Sequence, residues 1–304
     1  MPILLPFIHV ASASAELIYT DPEKWVEDNL EALAETVAHT APNDAYFTPF
    51  CVEYPPYGVH FIDKILGADV FFQDGQWYNR PLKNAVGTLA ASDLERDETW
   101  SLAKRAALAF VAQGVKLPLF GMPTLSSALN IGINIYGQEI LVAMLENPDA
   151  ARRDLSVIND AIMRMHSWYI ANVPQTQLQP VISWHRTQPP GHGQLCGCST
   201  QLISAAHYAE LVAPLDNALL GCYPNGGMIH LCGAHTQHIP TFRAMPNLKA
   251  LEMNDRAALD LPHYHAGLRD DQLIYLNCFA DMPPARALEI TNGGDRLVIL
   301  NFPR

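Results

Sequence analysis

Long apolar runs are missing from this 304-residue chain: no stretch of about 18 consecutive apolar residues occurs, so no segment reads as a membrane-spanning helix. The opening MPILLPFIHV is apolar but lacks a basic first segment, so it does not read as an export signal, and the expected setting is the cytoplasm. Charge is sparse at 16%, and basic residues are the scarcer sign: 19 Lys and Arg stand against 31 Asp and Glu, a formal net charge of −12. That balance excludes a general nucleic-acid binder, which needs cations to displace phosphate counterions. The six cysteines, at 51, 196, 198, 222, 232 and 278, are too few for the dense disulfide framework of a small secreted domain. Reduced thiols are therefore expected, some as core filler and others as ligands. No G-x-G-x-x-G follows the first strand, and P-loop, G-x-S-x-G and H-E-x-x-H motifs are absent.

Apolar residues make up 49% of the chain, enough for a large core. Asp21-Pro22 reads as an N-cap and first helical position, followed by Val26, Leu30, Leu33 and Val37 at helical spacing. Short apolar runs at 46–52 and 68–72 read as strands, and 73–98 as irregular. A helix over 100–112, a strand at 116–121, a helix over 136–146 and another capped by Asn147-Pro148 follow. Further strands are expected at 180–185 (PVISWH), 228–232 (MIHLC), 248–253, 273–277 (LIYLN) and 296–301. Between the first two of these lie a long loop and a helix capped by Ser204. Buried runs alternating with amphipathic helices imply a mainly parallel sheet. The length and strand count favour an α/β fold of the (β/α)8 TIM-barrel type. Residues 1–44 are expected as an N-terminal helical extension and 45–304 as the barrel domain.

The strongest local signal is His230-Leu231-Cys232-Gly233 at the end of a strand. Alternation sends residues i and i+2 to one side, so His230 and Cys232 offer an imidazole and a thiolate to one metal ion, a pair that suits zinc. Cys278 ends the later strand LIYLNC and is the candidate third ligand; the plain alternative is that both cysteines are buried thiols. Cys196-Gly197-Cys198, in the loop after Trp184 and His185, would bind metal, form a redox pair or line a pocket, with Cys198 the reserve ligand should Cys278 turn away. Glu53 follows the first strand, and Asn134 lies where a substrate would be held. Glu53, Asn134, Trp184, His185, Cys196 and Cys198 are the expected substrate-binding set at the barrel mouth. His235, His238, His263 and His265 read as surface residues.

Several segments, in order, carry a resemblance: LFGMPTLSSALNI (119–131), YGQEILVAMLENPDAARRDLSVINDAI, CSTQLISAAHYAELVAPLDNAL (198–219), GGMIHLCGAHTQHIPTFRAMPNLKALEMND and LIYLNCFADMPPARALEI. Together they resemble the uroporphyrinogen decarboxylase superfamily, and within it the zinc-dependent methyltransferase branch linked to corrinoid (cobalamin) cofactors. The resemblance implies catalytic and metal-binding roles for His230, Cys232 and Cys278. It also implies methyl transfer between a small molecule, either a thiol acceptor or a methyl ether or amine donor, and a corrinoid that is free or carried on a partner protein. The decarboxylases' arginine-rich early segment is absent, since the chain reads FTPFCVEYPPYG there. Porphyrinogen decarboxylation is thereby disfavoured, while a decarboxylase of another small acid and a non-catalytic small-molecule-binding barrel remain as alternatives.

Overall fold

The computed structural model describes residues 3–4, 13–38, 51–114, 119–179, 189 and 191–300. Helices form where caps and spacing direct them. Asp21 accepts a hydrogen bond from the Lys24 amide at 3.0 Å, and the helix Pro22–Ala38 buries Trp25, Val26 and Leu33. Asp97 caps the helix Glu98–Ala112 through the Trp100 amide at 2.7 Å. Asn147 precedes the 25-residue helix Pro148–Asn172, which buries Leu155, Ile158, Ile162, Met165 and Tyr169 on one face.

Eleven strands are described: β1 (Ile3–Leu4), β2 (Cys51–Glu53), β3 (Asp69–Gln73), β4 (Gln76–Arg80), β5 (Leu119–Gly121), β6 (Leu178–Gln179), β7 (Gly193–Cys196), β8 (Gly227–Cys232), β9 (Leu248–Asn254), β10 (Leu273–Leu276) and β11 (Leu297–Ile299). They form a six-stranded parallel sheet ordered β1-β11-β10-β9-β8-β7 and a three-stranded parallel sheet ordered β2-β5-β6. The fold is therefore α/β with parallel sheets, as the alternation of runs and helices implies.

The expected closed barrel is not formed by the pairings present. Among the described residues no strand pair links β6 to β7 or β2 to the six-stranded sheet. The expected strand at 180–185, with Trp184 and His185, lies outside the described residues. The N-terminal segment is not purely helical either, because Ile3 and Leu4 pair in parallel with Val298 and Ile299. The 68–72 run is one arm of an antiparallel hairpin, β3–β4, and the second arm falls in the stretch read as irregular. Asp74 (φ 49°) and Gly75 (φ 80°) make its two-residue turn, the Asp-Gly pairing that suits such a loop. The helix Ala128–Tyr136, capped by Ser127, and the separate helix Glu139–Glu146 replace the single expected helix over 136–146. Gly132 and the β-branched isoleucines weaken the local helix signal; packing of Gly132 against Leu155 and Ile140 supplies what propensity does not.

The two faces of the six-stranded sheet differ in kind. Leu195, Ile229, Leu231, Leu251, Met253, Ile274, Leu276, Leu297 and Ile299 point outward into the main core beneath the helices. Met228, Ala250, Tyr275, Val298 and Leu300 point the other way and form a small separate apolar cluster. One pleat further along that inner face, towards the C-terminal strand ends, the residues become polar: Cys196, His230 and Glu252. The carboxyl ends of parallel strands are where α/β sheets usually carry their functional groups, which makes these polar residues the candidates.

Candidate metal centre

The H-x-C-G tetrapeptide closes β8 as its sequence suggests. His230 and Cys232 share the inner face, and Gly233 (φ +86°) turns the chain away in the left-handed region, where a Cβ would run into the Gln201 side chain. The second half of the site comes from β7, a strand hidden in sequence within the long loop. Cys196 pairs in register with His230, and the Gly197 amide donates to the His230 carbonyl at 2.8 Å. Gly197 lies close over Ile229, whose Cγ2 would sit 2.7 Å from an added Cβ; any side chain there would lift the C-x-C turn off β8. Cys198 then returns towards the strand ends. The ligand atoms of Cys196, Cys198 and His230 lie within 4.8 Å of one another. Cys198 Sγ is 3.3 Å from Cys196 Sγ and 2.8 Å from Cys232 Sγ, and all are free thiols.

The imidazole is oriented from behind. His230 Nδ1 bonds Glu252 on β9, its cross-strand neighbour, and Asn277 donates to both Glu252 and Asn254. This contact leaves Nε2 to face a metal, as a ligating histidine requires. Burial pushes the His230 imidazole down, but the Glu252 charge and hydrogen bonds to Cys232 and Glu252 outweigh it and lift its pKa to about 9. Hydrogen bonds from Cys198 and His230 hold Cys232 well below the ordinary thiol range, against the opposing effect of burial. Its partner Cys198 is pushed strongly up by the hydrogen bonds to Cys196 and Cys232 and by burial. Without metal, then, Cys232 is the thiolate and Cys198 keeps its proton. Three sulfurs and one imidazole nitrogen, converging and partly withdrawn from water, fit zinc in kind and number.

A buried shell holds the C-x-C turn in place. His235 bonds the Cys232 carbonyl at 2.5 Å through Nε2 and Thr200 Oγ1 at 2.9 Å through Nδ1. His238 Nε2 bonds the Thr200 carbonyl at 2.8 Å. Both histidines are fully buried, not surface residues, and burial lowers both pKa values, so they serve as neutral struts. Asn130, on the helix after β5, accepts from the Ser199 amide at 3.0 Å and ties the two sheets together beside the thiols. Asp216 lies buried behind the turn; burial holds its carboxyl up to about 7 despite a hydrogen bond from Tyr208, and the nearby Cys196 adds to the rise.

The other expected site residues divide. Cys196 and Cys198 are central, their thiols close enough to His230 that the three could hold a metal ion. Cys278 is not in the converging group: alternation gives Asn277 the inner position, while Cys278 packs half-buried against the main core, its thiol pushed to about 11 by burial. Asn134 belongs to a different cluster, donating to Asp63 at 2.9 Å beside His60. Glu53 ends β2 half-buried. Trp184 and His185 lie outside the described residues. Sequence reading missed Glu252, Asn277, Thr200 and Asn130. Glu252 alone had a visible signal, a carboxylate inside the apolar run LKALEM.

A separate cleft lies elsewhere. About 710 Å³ opens at the N-terminal ends of β7–β10, lined by Tyr223, Asn225, Asn247, Lys249 and Asp271, with no converging donor set. No single helix among the described residues is long and apolar enough to cross a membrane. No protein-family model and no curated protein matches the chain. Its fold is similar to that of a methyltransferase from Methanosarcina mazei, with a TM-score of 0.65 and 10% sequence identity over 95% of this chain and 82% of that one; the likeness is one of fold.

Proposed function

We propose that this chain is a zinc-dependent methyltransferase that moves a methyl group between a small molecule and a corrinoid, working at the thiolate–imidazole cluster on β7 and β8. The observation that carries the reading is the convergence of Cys196, Cys198, Cys232 and His230, with Glu252 fixing the imidazole. The fold likeness to a methyltransferase agrees with it. The chain order of β2, β5, β6 and β7–β11 is that of a (β/α)8 barrel, with β1 covering the edge of β11 on which β2 would close.

Cys198 and His230, with Cys196 or Cys232, would hold the ion, Cys198 taking the place expected of Cys278. A zinc ion held there would supply Lewis acidity, able to keep a substrate thiol ionised at neutral pH or to polarise the heteroatom of a methyl donor. The chain's own groups do the rest. Glu252 keeps His230 in the ligating tautomer, Cys232 brings a negative charge already present at neutral pH, and the Thr200–His235–His238 shell fixes the turn. The apolar cluster beneath limits water. The corrinoid is free or delivered by a partner protein, and the reduced cysteines suit a cytoplasmic setting.

The test is metal analysis of the purified protein followed by methyl transfer from methylcobalamin to a short thiol. One zinc per chain and zinc-dependent thioether formation are expected. A chain that binds no zinc and methylates no thiol under zinc-replete conditions would sink the reading.

A further inference from the structure

One polar side chain on the inner face is used neither by the metal centre nor by the fold. Gln194 sits on β7 two residues before Cys196, so alternation places both on the same face. It is in register with Met228, which lies two residues before His230 on β8. The residue is 2% exposed, and among the described residues neither its amide oxygen nor its amide nitrogen has a hydrogen-bond partner. An amide buried without partners destabilises the folded chain, and an apolar side chain of the same shape would remove that cost. Its register neighbour Met228 belongs to the small apolar cluster of the inner face, against which such a replacement would pack. A fold alone would therefore not select glutamine here.

We infer that Gln194 is a specificity residue of the proposed metal centre. Its carboxamide, one pleat beneath the sulfurs, hydrogen-bonds an uncharged polar group, a hydroxyl or amide, carried two or three bonds from the reacting sulfur of a short thiol. The inference rests on the thiol-binding reading above. A carboxamide both donates and accepts, so it matches a group that does the same. A site built to hydrogen-bond a substrate group rejects the analogue lacking it, because the buried amide is then left unpaired.

Two probe thiols of equal length separate the possibilities: 2-mercaptoethanol carries a hydroxyl where 1-propanethiol carries a methyl. The zinc-loaded full chain should use 2-mercaptoethanol at least about tenfold better in kcat/KM, mainly through KM. The thiol-induced rise in Tm should be larger for the same probe. In Gln194→Met, a near-isostere, both preferences should vanish while zinc stoichiometry stays at the wild-type value. Without thiol, the Tm of Gln194→Met should equal or exceed that of the wild type. Equal treatment of the two thiols by the wild type would overturn the inference, as would a preference that survives the substitution. A lowered Tm in Gln194→Met would also overturn it, since it would mean that a buried water or another structural partner satisfies the amide. If neither thiol is methylated, the methyltransferase reading fails on its own, and the Tm comparison still decides the role of Gln194.

Discussion

The two ends of the six-stranded sheet are built from the same strands and do opposite things. At the N-terminal ends of β7–β10 the molecule opens a wide cleft, yet its charged residues are exposed and pair with each other, as Lys249 and Asp271 do at 3.4 Å. At the C-terminal ends three half-buried thiols, a buried imidazole and a buried carboxylate converge. Volume marks where a ligand fits; desolvated, convergent donors mark where chemistry is paid for in stability and must be held in place. The difference is one of solvent. A charge pair in the cleft is screened and contributes little, whereas each group in the cluster depends on its neighbours for its protonation state.

The largest effect expected is at the cluster. Cys232→Ala should lower zinc affinity by roughly a thousandfold or more, measured by competition with a chelator, because it removes the thiolate that is ionised before the metal arrives. The circular dichroism of the variant should stay native, since a core of this size does not depend on zinc. Unfolding of Cys232→Ala would make the cluster a structural staple and erase the contrast between the two ends.

Asp216 gives the next effect, in stability. Burial raises its folded-state pKa to about 7 from an ordinary 3.8, so the folded chain binds more protons than the unfolded chain between those values. The contribution is fully present below about pH 4 and is lost as pH rises through about 7, on the order of 4 kcal/mol. Asp216→Asn should raise Tm at pH 8 and leave it nearly unchanged at pH 4. A Tm that falls at pH 8 would show that the charged form has a stabilising partner.

Glu252→Gln should weaken zinc binding about 10- to 100-fold, the usual cost of losing the group behind a ligating histidine. Zinc affinity of the wild type should rise with pH, because the metal displaces a proton from Cys198 and, below about pH 9, a second one from His230, so the rise should become shallower near 9. In Glu252→Gln that part of the pH dependence should move towards neutrality. An unchanged pH profile would mean that Glu252 does not control the imidazole.

The smallest effect is expected in the cleft. Lys249→Ala breaks a half-exposed ion pair and should change stability by no more than about 0.5 kcal/mol, with zinc affinity untouched. A loss of methyl transfer in Lys249→Ala would place substrate at the wrong end of the sheet for the present reading.

How much was legible follows from which signals are local. Caps such as Asp21 and Asn147, the helical stripe of residues 148–172 and the buried runs of β8 to β11 depend on neighbours within a few positions, and each appears where the pattern puts it. The His230–Cys232 pair was legible for the same reason, since alternation along one strand is fixed by the backbone. β7 was not legible. Gly193-Gln194-Leu195-Cys196 has little strand propensity, and it becomes a strand only by pairing with Met228 to His230, more than thirty residues away.

Local pattern along the chain thus carries the class of fold, the parallel α/β alternation, and the imidazole–thiolate pair at the end of β8. What completes that pair is set by long-range strand pairing. It brought Cys196 and Cys198 across from β7, set Glu252 behind His230 from β9, and turned Cys278 towards the outer core by giving Asn277 the inner position. It also buried His235 and His238, which look like surface residues in the linear chain. The physical reason is that strand register is a long-range property: a shift of one residue in pairing exchanges every inward side chain for an outward one, and no local pattern near residue 278 carries that information.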